Sequence, residues 1–210
     1  MKRLKRLAGW FVVILCFTAF SAPLAHLAFR PNPRLADAEQ YVVYSSYIQL
    51  GLTGESHALG NKRGPVVIHG TTIVSDRLAN KSKPNQFRFV LGTAGHTNAV
   101  MSQLKPSVLL EFFVANLDDE KLERQFGLSA TYELATEQEM DLYPSEQFSK
   151  RFPNSYGYLT FSRIGFNHDL TEALFYTEHI CGLCGEGKYV FMRKINGRWD
   201  VDGTASTWIS

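Results

Sequence analysis

Apolar positions recur three and four apart in ADAEQYVVYSSYIQLGL, residues 36–52, at Tyr41, Tyr44, Ile48 and Leu52. That spacing predicts an amphipathic helix. Asp37 and Glu39 near its start suit the positive end of a helix dipole. A polar, glycine-rich loop follows at 53–64, and then PVVIHGTTIV, residues 65–74, whose short β-branched run predicts a strand. Residues 75–86 carry no clear pattern. KPSVLLEFFVANLDDEKLERQF, residues 105–126, returns to helical spacing, with Pro106 allowed in a first turn. Leu109, Phe112, Phe113 and Leu117 form its inward face, and a further turn is expected through Leu122 and Phe126. LSATYELA (128–135) alternates like a strand, and EQFSKRF (146–152) reads as a short helix ended by Pro153.

From Gly157 onward the period is two. GYLTFSRIGF, EALFYTEHI, KYVFMRKI and RWDVDGTASTWI predict four strands. They are joined at Asn167-His168-Asp169, at Cys181 to Gly187, and at Asn196-Gly197. Asn-Gly between two β-rich runs is the two-residue hairpin signal. The expected fold is therefore α+β, with N-terminal helices packed on a C-terminal four-stranded antiparallel meander.

The N-terminus obeys a different rule. MKRLKRLAGWFVVILCFTAFSAPLA places Lys2, Arg3, Lys5 and Arg6 before an apolar run from Leu7 to Phe20, the form of a secretory signal. Residues 1–21 are expected to be a signal peptide, cut before Ala22. The alternative is an uncut anchor over residues 7–25, since that run is long enough to cross a bilayer. HLAFRPNPRL has two prolines and no period, so residues 22–35 are expected to be a linker and 36–210 a single domain. Either fate of the leader exports the body to the periplasm or beyond, because the basic residues stay inside. Membrane contact is expected only if the leader is retained.

Charge changes the picture once the leader is set apart. Its four basic residues take the formal net charge from +2 to −2 when removed. The remaining chain offers no basic stripe for a nucleic acid. Of the three cysteines, only Cys181 and Cys184 lie beyond the leader, and export makes their oxidation the expected state.

Three chemistries compete for HICGLCGEGK. A redox centre needs an activated thiolate at a helix N-terminus. Here Cys184 runs into a strand, and Glu186 would raise a nearby thiol pKa. A zinc site needs four ligands. Cys181, Cys184 and His179 supply three, and a fourth would have to come from His57, His69 or His96; His168 lies ~30 Å away along an extended strand. A disulfide across the loop needs only the two cysteines and the glycines' freedom, and contributes ~2 kcal/mol in the chain-entropy model. The disulfide is the expected state, with no metal or cofactor.

HGTT at 69–72 and GTAGHTN at 92–98 are fragments of catalytic loops. Neither completes a nucleophile elbow or a phosphate loop. His69 and His96 are the candidate general bases, each beside glycine at the end of a β-like run. Arg163 shares a strand face with Leu159 and Phe161, so it is expected to pair with Glu172 or Glu178, or to anchor an anion. Asp118, Asp119 and Glu120 read as a solvated helix start. The aromatic residues of the meander read as cross-strand packing.

The motifs SRIGFN, EALFYTEHICGLCGEGKYVFMRKINGRWDV and TWIS resemble an uncharacterised family of exported bacterial proteins. YVVYSSYIQL, VVIHGTT and FGLSATYELAT extend the resemblance over most of the chain after the leader. It implies export and a shared fold, and no activity. A looser likeness to the NTF2-like fold rests on helices preceding a sheet. The leading expectation is an exported, non-catalytic binding or interaction module of the bacterial envelope, whose partner is a small ligand or an envelope protein. One alternative is a small-molecule hydrolase built on His69, His96 and Arg163. The other is a Cys-x-x-Cys redox or zinc protein.

Overall fold

The computed structural model describes residues 31–53, 64–73, 104–182 and 184–210. The leader, residues 54–63 of the glycine-rich loop, the patternless 75–86 segment, His57 and His96 lie outside the described residues. The elements in chain order are α1 (Pro33–Thr53), β1 (Val66–His69), α2 (Pro106–Ala115), β2 (Tyr132–Ala135), α3 (Glu137–Met140) and α4 (Glu146–Arg151). Five strands follow: β3 (Tyr158–Phe161), β4 (Gly165–Phe166), β5 (Glu172–Ile180), β6 (Glu186–Ile195) and β7 (Arg198–Ile209).

The fold is α+β, but its sheet is not a four-stranded antiparallel meander. Seven strands form one mixed sheet in the order β2-β1-β3-β5-β6-β7, with β4 also paired to β5. The antiparallel part, β3 to β7, is the meander that alternation predicts, closed at Asn196-Gly197 where both residues have positive φ (50° and 79°). The addition is parallel: β1 runs alongside both β2 and β3. Strands buried on both faces read as continuous apolar runs, as Val66-Val67-Ile68 does, and such a run does not name its neighbours.

Helices cover both faces. On one, α1 lays Tyr41, Tyr44 and Ile48 against Ile68, Leu159, Phe161, Phe175, Val190 and Met192. On the other, α2 lays Val108 and Phe112 over Leu174, Tyr176, Tyr189 and Phe191. Beside it, Met140 of α3 and Phe148 of α4 cover Val67 and Ala135. β5 is the central strand and is buried on both sides, so Thr177, Glu178 and His179 are interior in spite of their polarity.

Two local expectations are corrected. The expected linker ends early, because Asn32 and Pro33 start α1 three residues sooner. The Asn32 side chain accepts from Arg34 N at 3.1 Å, and proline suits a first helical position. The helix of 105–126 stops at Ala115. Beyond it, Leu122 N donates to Gly70 O and Thr72 N to Glu120 O, so this segment satisfies its backbone on the exit from β1 and Leu117 is left 68 % exposed. The short helix α3 has a capping box, Thr136 with Glu139, that the sequence TEQE carries. No helix among the described residues is long and apolar enough to cross a membrane.

Candidate functional site

GYLTFSRIGF is one strand broken by a bulge, and the bulge builds the site. Phe161 faces Thr177 and Gly165 faces Leu174, so three residues, 162–164, stand opposite two. Each letter of SRIGFN has a task there. Ser162 Oγ accepts from Tyr176 N at 2.8 Å, replacing a ladder bond. Gly165 lets α2 approach, since a Cβ there would strike the Phe112 backbone. Phe166 packs near Trp199, and Asn167 Oδ1 accepts from Thr171 N and Glu172 N to close the turn into β5.

Arg163 is the residue the bulge turns outward. Its peptide is gripped by the buried Asn116 at the end of α2. Arg163 N donates to Asn116 Oδ1 at 2.8 Å, and Asn116 Nδ2 donates to Arg163 O at 3.0 Å. Beneath it the Tyr44 hydroxyl donates to Ser162 O at 2.7 Å, and burial holds that hydroxyl's pKa well above the ordinary tyrosine value. The Arg163 side chain pairs with neither Glu172 nor Glu178. Its Nε lies 2.8 Å from Glu120 Oε2, out of hydrogen-bond alignment, while Gln40 Nε2 donates to Glu120 Oε1 at 2.9 Å. Glu172 pairs with Lys105 at 3.0 Å, and Glu178 accepts from the Tyr176 hydroxyl at 3.2 Å. The correction has one physical source: the extra residue rotates Arg163 away from the register that strict alternation assigns it.

Two adjoining cavities meet at this corner. One, of about 70 Å³, is lined by Asp37, Gln40, Glu111 and Arg163 over a floor that includes Ile164 and Phe166. The other, of about 340 Å³, shares Asp37 and Gln40 and adds Arg34, Tyr41, Glu120, Lys121 and Glu123. The Gln40–Glu120–Arg163 chain runs between them: Gln40 lines both, Arg163 the smaller and Glu120 the larger. Glu120 engages Arg163 through Nε, and among the described residues no hydrogen bond or ion pair takes up the terminal Nη groups. Glu120 is thus a half-buried partner and not part of a solvated helix start.

His69 does not join this corner. β1 alternates, so Ile68 faces α1 and His69 faces the opposite layer, 4 % exposed, with Nε2 2.9 Å from Glu137 Oε2. It stands in the parallel register beside Thr160, whose buried hydroxyl has no hydrogen-bond partner in the described structure. His69 therefore pairs with α3, while Arg163 lines the cleft between α1 and α2, and His96 lies outside the described residues.

The cysteine loop also resolves in part. Cys181 and Cys184 have their sulfurs at disulfide distance, with Cα atoms 5.3 Å apart. The nearby His179 is turned inward, its Nε2 donating to Tyr156 O at 2.9 Å, and burial pushes its pKa below the usual histidine value. Among the described residues no group of three or more histidine, cysteine, aspartate or glutamate side chains could hold a metal ion.

Asp37, Gln40, Glu111, Asn116 and Glu120 escape a sequence reading of the site. Glu111 alone left a trace, as the single charge inside the apolar run VLLEFFV, where it is 6 % exposed. A scan against protein-family models, a search of curated proteins and a search of solved structures each find no match for this chain.

Proposed function

We propose that this chain is an exported, non-catalytic binding module of the bacterial envelope, with its ligand in the cleft between α1, α2 and the Ser162–Ile164 bulge. The observation that carries the reading is the state of Arg163. Arg163 is positioned by Asn116 on its peptide and by Glu120 on Nε, and the residue lines a cavity with an apolar floor. Arginine held in this way serves directional recognition of an acceptor. The carboxylates beside it orient a ligand as fixed hydrogen-bond acceptors. A cleft of few polar groups on an apolar floor is the ordinary form of a small-molecule site. The basic, apolar leader supports export, as does the resemblance to exported proteins over the SRIGFN and NGRW motifs. Helices preceding an antiparallel sheet support the NTF2-like likeness, from which the parallel β1–β2 pair departs.

The test is a thermal-unfolding screen of the purified chain against free amino acids, hexoses, dicarboxylic acids and inorganic phosphate, in parallel with Arg163→Gln. At least one class should raise the melting temperature of the parent chain more than that of the variant. If no class does, the cleft is not a ligand site. Cell fractionation tests the location, and recovery of the chain in the cytosol alone would refute export.

A further inference from the structure

A further cavity, of about 50 Å³, lies at the other end of α1, where Leu52 meets β1, β3 and the last residues of β5. At about 1.5 Å per helical residue, Leu52 stands about 22 Å along α1 from Asp37. Among the described residues, the cavity wall holds no acidic or basic side chain other than His179. Strand register puts His179 there. It is the cross-strand partner of Leu159, which belongs to the core on the α1 side of the sheet. The ring is fixed and neutral. Its Nε2 lies 2.9 Å from Tyr156 O, a carbonyl that can only accept, so the ring proton is on Nε2 and Nδ1 carries the lone pair. Burial holds the pKa below the ordinary histidine value, so this tautomer persists at neutral pH. No hydrogen bond or ion pair among the described residues takes up Nδ1. A desolvated acceptor without a partner costs free energy, and a ligand donor that reaches it removes that cost.

Charge and size narrow the ligand. An ion of either sign entering these walls loses hydration and finds no counter-charge. At roughly 10–15 Å³ for each water-sized occupant, about 50 Å³ admits about four heavy atoms. We infer that this cavity is a second binding site, for a small uncharged group whose N–H or O–H donates to His179 Nδ1 while its carbon frame lies on Leu52, Val66 and Leu159. A primary amide is the simplest such group. The site shares no residue with the Arg163 cleft, so the failure of either reading leaves the other standing.

The test is a two-dimensional NMR titration of the ¹⁵N-labelled chain with acetamide, acetone, acetate and acetamidinium, which share one shape and differ in donor and charge. Acetamide should shift the Tyr156 and His179 amides saturably and move the His179 Nδ1 resonance while Nε2 stays protonated. Acetone lacks the donor, acetate and acetamidinium carry charge, and each should bind at least about tenfold more weakly. His179→Gln keeps an N–H for Tyr156 O, removes the Nδ1 acceptor, and should weaken acetamide about tenfold. The comparison of probes on the parent chain needs no variant, so the test stays decisive if His179→Gln disturbs β5. Acetone binding as tightly as acetamide, or a folded His179→Gln chain binding acetamide undiminished, would overturn the hydrogen bond to Nδ1 and with it the inference. Acetate or acetamidinium binding as tightly as acetamide would overturn the choice of an uncharged ligand. No saturable response to acetamide would overturn the site itself.

Discussion

Asn116 has the most to lose from a small change. It is 1 % exposed, and its side chain makes three hydrogen bonds: to Phe112 O at 2.7 Å, to Arg163 O at 3.0 Å and from Arg163 N at 2.8 Å. Asn116→Ala removes all three, but the losses are unequal. Phe112 O keeps the backbone N–H of residue 116, and Arg163 O keeps the Ser162 hydroxyl. Arg163 N–H loses its Asn116 Oδ1 partner outright, and an unsatisfied donor costs about 1–3 kcal/mol. Adding the weakened acceptors, the expected destabilisation is about 2–3 kcal/mol, which lowers the melting temperature by roughly 5–10 °C. Urea unfolding followed by tryptophan fluorescence measures it, and hydrogen exchange at the Arg163 amide localises it. Asn116→Asp provides the control. Its carboxylate still accepts from Arg163 N but faces two carbonyls it cannot donate to, so it should be at least as damaging at neutral pH and recover in part when acid protonates it. A loss below about 0.5 kcal/mol for Asn116→Ala, or an Asn116→Asp chain as stable as the parent, would refute the account of how the bulge is held.

Three further outcomes follow from other parts of the fold. His179 is buried with a pKa below 6.5, so the unfolded chain takes up a proton that the folded chain resists. Stability should fall as pH drops through 6.5 and keep falling down to the folded pKa, with no contribution above that range; urea midpoints for His179→Gln should lose this part of the slope, and parallel curves would contradict it. Gly157 has φ of 76° and lies against Ile180 O, so Gly157→Ala should cost about 3 kcal/mol by denaturant titration, and a cost under about 1 kcal/mol would show that the turn can move aside. Replacing both Cys181 and Cys184 by alanine should lower stability by about 2 kcal/mol under oxidising conditions and leave it unchanged relative to the reduced parent; equal loss in both conditions would assign the effect to packing instead.

Sequence periodicity by itself determined the local elements of this protein. The stripe Tyr41, Tyr44, Ile48 specifies α1, period-two alternation with Asn196-Gly197 specifies the β6–β7 hairpin, and Pro106 marks the first turn of α2. These are short-range statements, and the physics behind them is short-range: capping, turn geometry and the burial of one face. The two cysteines, four residues apart counting both ends, belong to the same class, since their pairing needs no distant partner.

What only the tertiary structure decided is which distant segments meet. Parallel pairing of β1 with β2 and β3 joins residues 66–69 to 132–135 and 159, and a β-branched run offers no local label for its neighbours. The bulge at Ser162–Ile164 is equally silent in sequence, yet one inserted residue sends Arg163 away from Glu178 and toward Glu120. The cleft draws Asp37 and Gln40 from α1, Glu111 from α2, Glu120 from the loop after it, and Arg163 from the bulge. Side chains so far apart along the chain converge only when the sheet and its two helical layers close on a shared core, because burial rewards total apolar contact and is indifferent to sequence separation.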